Sequence, residues 1–207
     1  MSATMINAST IEDIEKEIAN RRNENYIALI LFCRYREDKS SLPWRVAANY
    51  INYHHRSGEG LDIYVPGFSF YGSNKRESLG DAMELKNSEP FGFYYPKALV
   101  DAEDFFKKEM AGFHLGSSVV AVAIEVDNGS PDWKNGAVMN LSNRSAEDVE
   151  AQLMEIIDGC KSSQGMIDPN VAQFNRSLRL NGLVGFLLRN GWNAMAAFSG
   201  VGALILA

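Results

Sequence analysis

In the stretch INYHHRSGEGLDIY, residues 51–64, two adjacent histidines stand a short turn ahead of Asp62. An active site built on imidazole and carboxylate would use His54, His55 and Asp62, the candidate catalytic residues. A metal site on a helix needs ligands three or four residues apart, because only those share a face. Adjacent side chains on a helix point about 100° apart. His54 and His55 could therefore cooperate only with residues from elsewhere, such as Asp62, Asp81 or His114. The favoured reading is simpler. Histidines in the last turn of a helix are stabilised by its dipole, so the pair is expected at a solvated helix end.

A second polar group follows the first apolar run: Arg34, Arg36, Glu37 and Asp38 in CRYREDKSS. Ligands of open α/β sheets bind beyond the carboxyl ends of strands, which makes these four residues binding candidates. The competing reading is a solvated charged loop. The two cysteines, Cys33 and Cys160, sit in neither a CxxC nor a metal-ligand spacing. Cys33 closes an apolar run and should be buried. Their number fits a reducing compartment better than a disulfide scaffold. The chain has no P-loop, no GxGxxG after a strand, no HExxH and no nucleophile elbow. No cofactor and no resident metal are expected. Trp133, in DNGSPDWKNG, reads as an exposed aromatic within turn chemistry.

The elements that must position these residues follow from periodicity. Ser9 or Thr10 can cap a helix in which Ile11, Ile14, Ile18 and Ala19 repeat at helical spacing, ending near Asn23. YIALILFCRY, 26–35, is a continuous apolar run, the mark of a strand covered on both faces. Pro43 suits the first turn of a helix through His55. GLDIYVPGF, 60–68, predicts a second strand, with Pro66 marking its end or an edge bulge. Residues 69–96 read as a long excursion with a short strand at FGFYY. Pro96 opens a helix through about Met110. SSVVAVAIEV, 117–126, is the strongest strand, and AVMNLS, 137–142, its antiparallel partner. The runs 26–33 and 118–126 should be neighbours at the centre of one sheet. Ser145 should cap a helix that breaks at GCKSSQGMIDPN.

The order helix, strand, helix, strand, loop, helix, strand, strand, helix resembles the thioredoxin-like arrangement over residues 25–160. The resemblance implies a β-α-β half joined through a helix to a β-β-α half. It does not imply dithiol chemistry. CRYREDKSSLPW supplies one cysteine where that family's redox motif has two, and HLGSSVV lacks the proline expected before the third strand. Cys33 also falls at a strand end, not at a helix N-terminus where a thiolate is stabilised. The expected fold class is α/β: a mixed sheet with helices on both faces, followed by an apolar helical extension. The domain reading is an N-terminal helix over 1–24, an α/β domain over 25–162 and the extension over 163–207.

Residues 169–207 contain no Asp or Glu, and their charged residues are Arg176, Arg179 and Arg189. At average composition about five acids would be expected there. The stretch carries +3, leaving −9 for residues 1–168 of a chain whose net charge is −6. LNGLVGFLLRNG and WNAMAAFSGVGALILA could form two short apolar helices. Packing against the domain is one reading. Assembly with another copy, or contact with a membrane surface through 169–207 with Arg176 and Arg179 on anionic groups, is the other. The final run is shorter than a full span of about 20 residues.

The acidic balance argues against general nucleic-acid binding, which needs a basic surface. The first 26 residues lack the basic start and apolar core of a signal peptide. A cytoplasmic setting, peripheral to membrane at most, is the expectation. The functional expectation is a non-catalytic interaction or effector module that works with a protein partner or as a homo-oligomer. Its C-terminal segment would mediate self-assembly or membrane association. The alternative is an enzyme with a polar site near the C-terminal ends of the first two strands.

Overall fold

The computed structural model describes residues 6–21, 25–35, 42–57, 61–70, 73–85, 90–110, 113–115, 119–141, 145–164 and 194–196. Its centre is the pairing of two apolar runs. Strand β1, Asn25–Phe32, lies antiparallel to β6, Val120–Asp127, in an unbroken register from Asn25↔Asp127 to Phe32↔Val120. Successive strand side chains point to opposite faces. Every residue from Tyr26 to Cys33 is nonetheless buried, so both faces are covered. That is what a continuous, non-alternating apolar run requires.

The other strands add outward from this pair. Strand β2, Leu61–Tyr64, runs parallel to β1, and β7, Ser130–Asn140, runs antiparallel to β6. A short strand β8, Ala194–Ala196, pairs with Ala137–Met139 of β7, giving the order β2-β1-β6-β7-β8. The fold is therefore α/β with a mixed sheet. Helix α1, Ile11–Asn20, buries Ile14 and Ile18 completely. It and α4, Pro96–Glu109, contact β7. Helices α3, Tyr50–Ser57, and α5, Ala146–Gln164, contact β2 and each other. Phe32 meets Phe106 of α4 edge-on at 5.1 Å and Phe113 at 4.9 Å. Ring contacts of this kind add about 0.5–1.5 kcal/mol each beyond the area they bury.

Several elements differ from the sequence expectation. The helix expected over 43–55 is two, α2 over Leu42–Ala48 and α3, parted at Asn49. The Asn49 side-chain amide donates to the Arg45 carbonyl and to Glu150 Oε1 of α5, while backbone bonds from Asn49 N to Arg45 O and from Tyr53 N to Asn49 O still span the junction. Residues 69–96 are largely ordered structure. Strands β3, Phe68–Phe70, β4, Met83–Glu84, and β5, Phe91–Tyr94, form a second antiparallel sheet, β3-β5-β4. Rings hold it: Phe68 lies 5.0 Å from Phe91 and 4.9 Å from Tyr94. Gly67 (φ 85°) makes the turn into it, its amide donating to Ser9 O at 2.8 Å.

The expected ten-residue turn DNGSPDWKNG is only Asn128–Gly129. Both take positive φ, 51° and 74°, so the hairpin closes in two residues and SPDWKNG becomes part of β7. Trp133 is consequently half-buried, edge-on to Phe105 at 5.3 Å and Phe106 at 5.5 Å, not an exposed aromatic. Helix α5 continues through GCKSSQ to Gln164 instead of breaking at Gly159. Its start is as expected, with Ser145 Oγ accepting from the Asp148 amide. The apolar helix expected from Trp192 onward does not run through 194–196, which is strand β8. The outer edge of β7 offers unpaired backbone groups, and an Ala-Met-Ala segment satisfies them. The other residues of 165–207 lie outside the described residues.

The two-residue hairpin yields a test. Gly129→Ala forces a Cβ into the left-handed region and should cost about 1–2 kcal/mol. The urea midpoint should fall with no change in slope. An unchanged midpoint would mean the turn is not built this way.

Candidate functional site

Asp62 occupies the second position of β2 and is buried at 8% exposure, which makes its charge a problem to be solved locally. Arg21, the C-cap of α1, supplies the answer. Its Nη1 lies 2.5 Å from Asp62 Oδ1, and its guanidinium carbon sits 4.2 Å above the Tyr26 ring. The Tyr64 hydroxyl donates to Asp62 Oδ2 at 3.3 Å. Burial pushes the Asp62 pKa up; the Arg21 charge and hydrogen bond pull it back, and the balance stays above the ordinary carboxylate value. His54 lies within electrostatic reach of this carboxylate.

The histidine pair is divided by its helix. His54 is buried at 4% exposure, packed edge-on to Tyr50 at 5.9 Å, while His55 is exposed. The helix end is thus solvated on one side only, because α3 packs on β2 and α5. The structure brings His54 toward Asp62 and turns His55 away. Asp81 and His114 are exposed. Among the described residues, no group of three or more His, Cys, Asp or Glu side chains is arranged to hold a metal ion.

At the end of β1, Arg34 is half exposed, and its Nη2 lies 2.8 Å from Glu103 Oε2 of α4. Lys107 Nζ takes the other oxygen of Glu103 at 2.8 Å. Burial alone would raise the Glu103 pKa. The hydrogen bonds and charges of Lys107 and Arg34 outweigh it and hold the carboxyl below its ordinary value. Arg36, Glu37 and Asp38 lie outside the described residues, as do Arg176 and Arg179. Cys33 is buried, and desolvation pushes its thiol up to about 12. Burial thus disfavours the thiolate, the form of a cysteine that acts as a nucleophile.

A concave surface lies elsewhere. Helix α1, the 3₁₀ turn Glu77–Leu79 and α4 enclose a groove of about 450 Å³. Ile11, Leu79, Ala98 and Phe105 form its apolar lining, and Glu12, Glu15, Asp101 and Lys97 its charged lining. The local capping chemistry fixes this corner. Thr10 Oγ1 accepts from the Asp13 amide, and Asp13 Oδ2 accepts from the Ser9 and Thr10 amides and from Arg76 Nη1 at 2.5 Å. Arg76 thereby ties the start of α1 to the residue before the 3₁₀ turn.

Sequence reasoning missed Arg21, Glu103 and the groove. The Glu103–Lys107 spacing of four was a visible helical pair. Nothing local marked Arg21, because its partner lies 41 residues away. No protein-family model matches the chain, nor does any curated protein or solved structure.

Arg21→Met tests the buried pair. It leaves the Asp62 carboxylate without its counter-charge, and should cost about 1–3 kcal/mol at pH 7, below the range for a fully buried pair because Arg21 is partly exposed. Asp62 has a raised folded pKa, so its ionisation costs stability progressively as pH rises from the unfolded value through the folded one. The deficit should therefore shrink between pH 7 and pH 4.5. Equal deficits by urea unfolding at both pH values would contradict this assignment.

Proposed function

We propose that the chain is a non-catalytic interaction module that assembles with further copies of itself through its C-terminal segment. The observation that carries this reading is β8. It is three residues long, is the outermost strand of the sheet, and covers only Ala137–Met139 of the eleven-residue β7. Residues 165–193 separate it from α5. Loop-closure entropy grows slowly with length, by about 0.6 kcal/mol per doubling. So short a strand on so long a connection can reach the β7 edge of its own chain or, once two chains meet, that of the second, which is the geometry exchange between copies needs.

The polar candidates support the non-catalytic half of the proposal. The two oxygens of Asp62 are taken by Arg21 and Tyr64, and those of Glu103 by Arg34 and Lys107. Each carboxylate is committed to holding elements together. The order β2-β1-β6-β7, with β1 and β2 parallel and β6 opposed to β1, supports the thioredoxin-like resemblance as the architecture of this module. For the membrane reading, no helix among the described residues is long and apolar enough to cross a membrane.

Removing residues 169–207 tests the proposal. The full chain should show a mass above 23.0 kDa that rises with concentration in light scattering, and the shortened chain should be a folded monomer. Ala196→Pro, which deletes a β8 amide, should weaken assembly in the same direction. A full chain that stays monomeric at about 100 μM, while binding anionic vesicles, would replace self-assembly by membrane contact.

A further inference from the structure

Resting on that assembly reading, we infer that the α1–α4 groove receives the acid-free C-terminal stretch of a second copy of this chain. Its size falls within the range of about 300–1,000 Å³ typical of binding clefts. Ile11, Leu79 and Phe105 are half-buried in its wall and would gain burial from an apolar occupant. Val100, on the same helix as Phe105, is one of two large exposed hydrophobics among the described residues.

Charge decides which occupant fits. Lys97 is already matched by Asp101 at 2.7 Å, so Glu12 and Glu15, both exposed, leave the lining net negative. The complement lies in the same sequence. Residues 169–207 carry Arg176, Arg179 and Arg189 with no acid, and Leu183, Val184, Phe186, Leu187 and Leu188 lie between the last two arginines. Position favours the same partner. Helices α1 and α4 both contact β7, the strand whose edge β8 extends. The groove and the β8 edge are thus carried by elements that meet at one strand, β7. Exchange between two copies would be reciprocal, as closed two-fold assembly requires.

The experiment is a charge exchange in the full-length chain, read by sedimentation at 20–100 μM, values about those at which weak dimers populate. One variant carries Glu12→Lys and Glu15→Lys; the other carries Arg176→Glu and Arg179→Glu. Each alone should associate at least about tenfold more weakly than the parent, and association of the parent should weaken as salt is raised. Mixing the two variants should restore a dimer, because each groove then faces a stretch of opposite charge. If Lys in the first turn of α1 destabilises the fold, Glu12→Gln with Glu15→Gln gives a milder loss in the same direction. Parent-like association of the groove variants would overturn this inference and leave the assembly reading standing. Weakened variants that mixing fails to rescue would also overturn it, as docking on the chain's own groove predicts. A parent chain monomeric at every concentration would remove both.

Discussion

The pairing of β1 with β6 is the constraint on which the rest of the structure depends. Eight residues of each strand face each other without a register break, and nearly all are buried on both sides of the sheet. A strand buried on both faces cannot tolerate a one-residue slip without exchanging which helix layer each side chain meets. Phe32 shows the consequence. Its ring reaches Phe106 and Phe113 only in this register, and through Phe106 it reaches Trp133 on β7. The seam thus sets where α4 lies, and α4 carries Glu103, one wall of the groove and the partner of Arg34.

Charged groups sit at the margins of that seam and join elements distant in sequence. Arg21 ties the end of α1 to β2, Arg34 ties the end of β1 to α4, and Arg76 ties the 3₁₀ turn to the start of α1. None of these pairs is a large source of stability by itself, since each is partly exposed on at least one side. Their common effect is geometric. They anchor α1 and α4, whose residues line the groove, and give the buried carboxylates of Asp62 and Glu103 a counter-charge. The edge of β7 differs in kind. Its closing strand is three residues long and pairs with only Ala137–Met139 of β7.

Much of this architecture was legible in the residues because the signals were local and strong. The runs 26–33 and 118–126 announced two-sided burial, and they are neighbours at the centre of the sheet. Ser9 or Thr10 announced the start of α1, and Pro96 the start of α4. The readings that failed depended on partners far away. Strands of two to four residues at 68–70, 83–84 and 91–94 are too short to show a period, and only their pairing with one another, aided by rings of the first and last, makes them a sheet. SPDWKNG looked like turn chemistry because Asn128–Gly129 alone does the turning, which its φ values reveal and its composition does not. His54 looked solvated because nothing in the sequence said that α5 and β2 would cover that side of α3. Of the candidate residues, Asp62 and His54 were brought within reach of each other, but Arg21, the group that governs Asp62, carried no local sign.

Native-state hydrogen exchange tests this account most directly, because it assigns a free energy of opening to each strand. Amides of Ile27–Leu31 and Ala121–Ile124 should exchange only through global unfolding and share the highest protection in the chain. Those of Ala194–Ala196 should exchange through local opening at much lower free energy, because so short an edge strand has few pairing bonds to break. Protection of β8 equal to that of the seam, or a seam that opens before the β3-β5-β4 sheet, would contradict it.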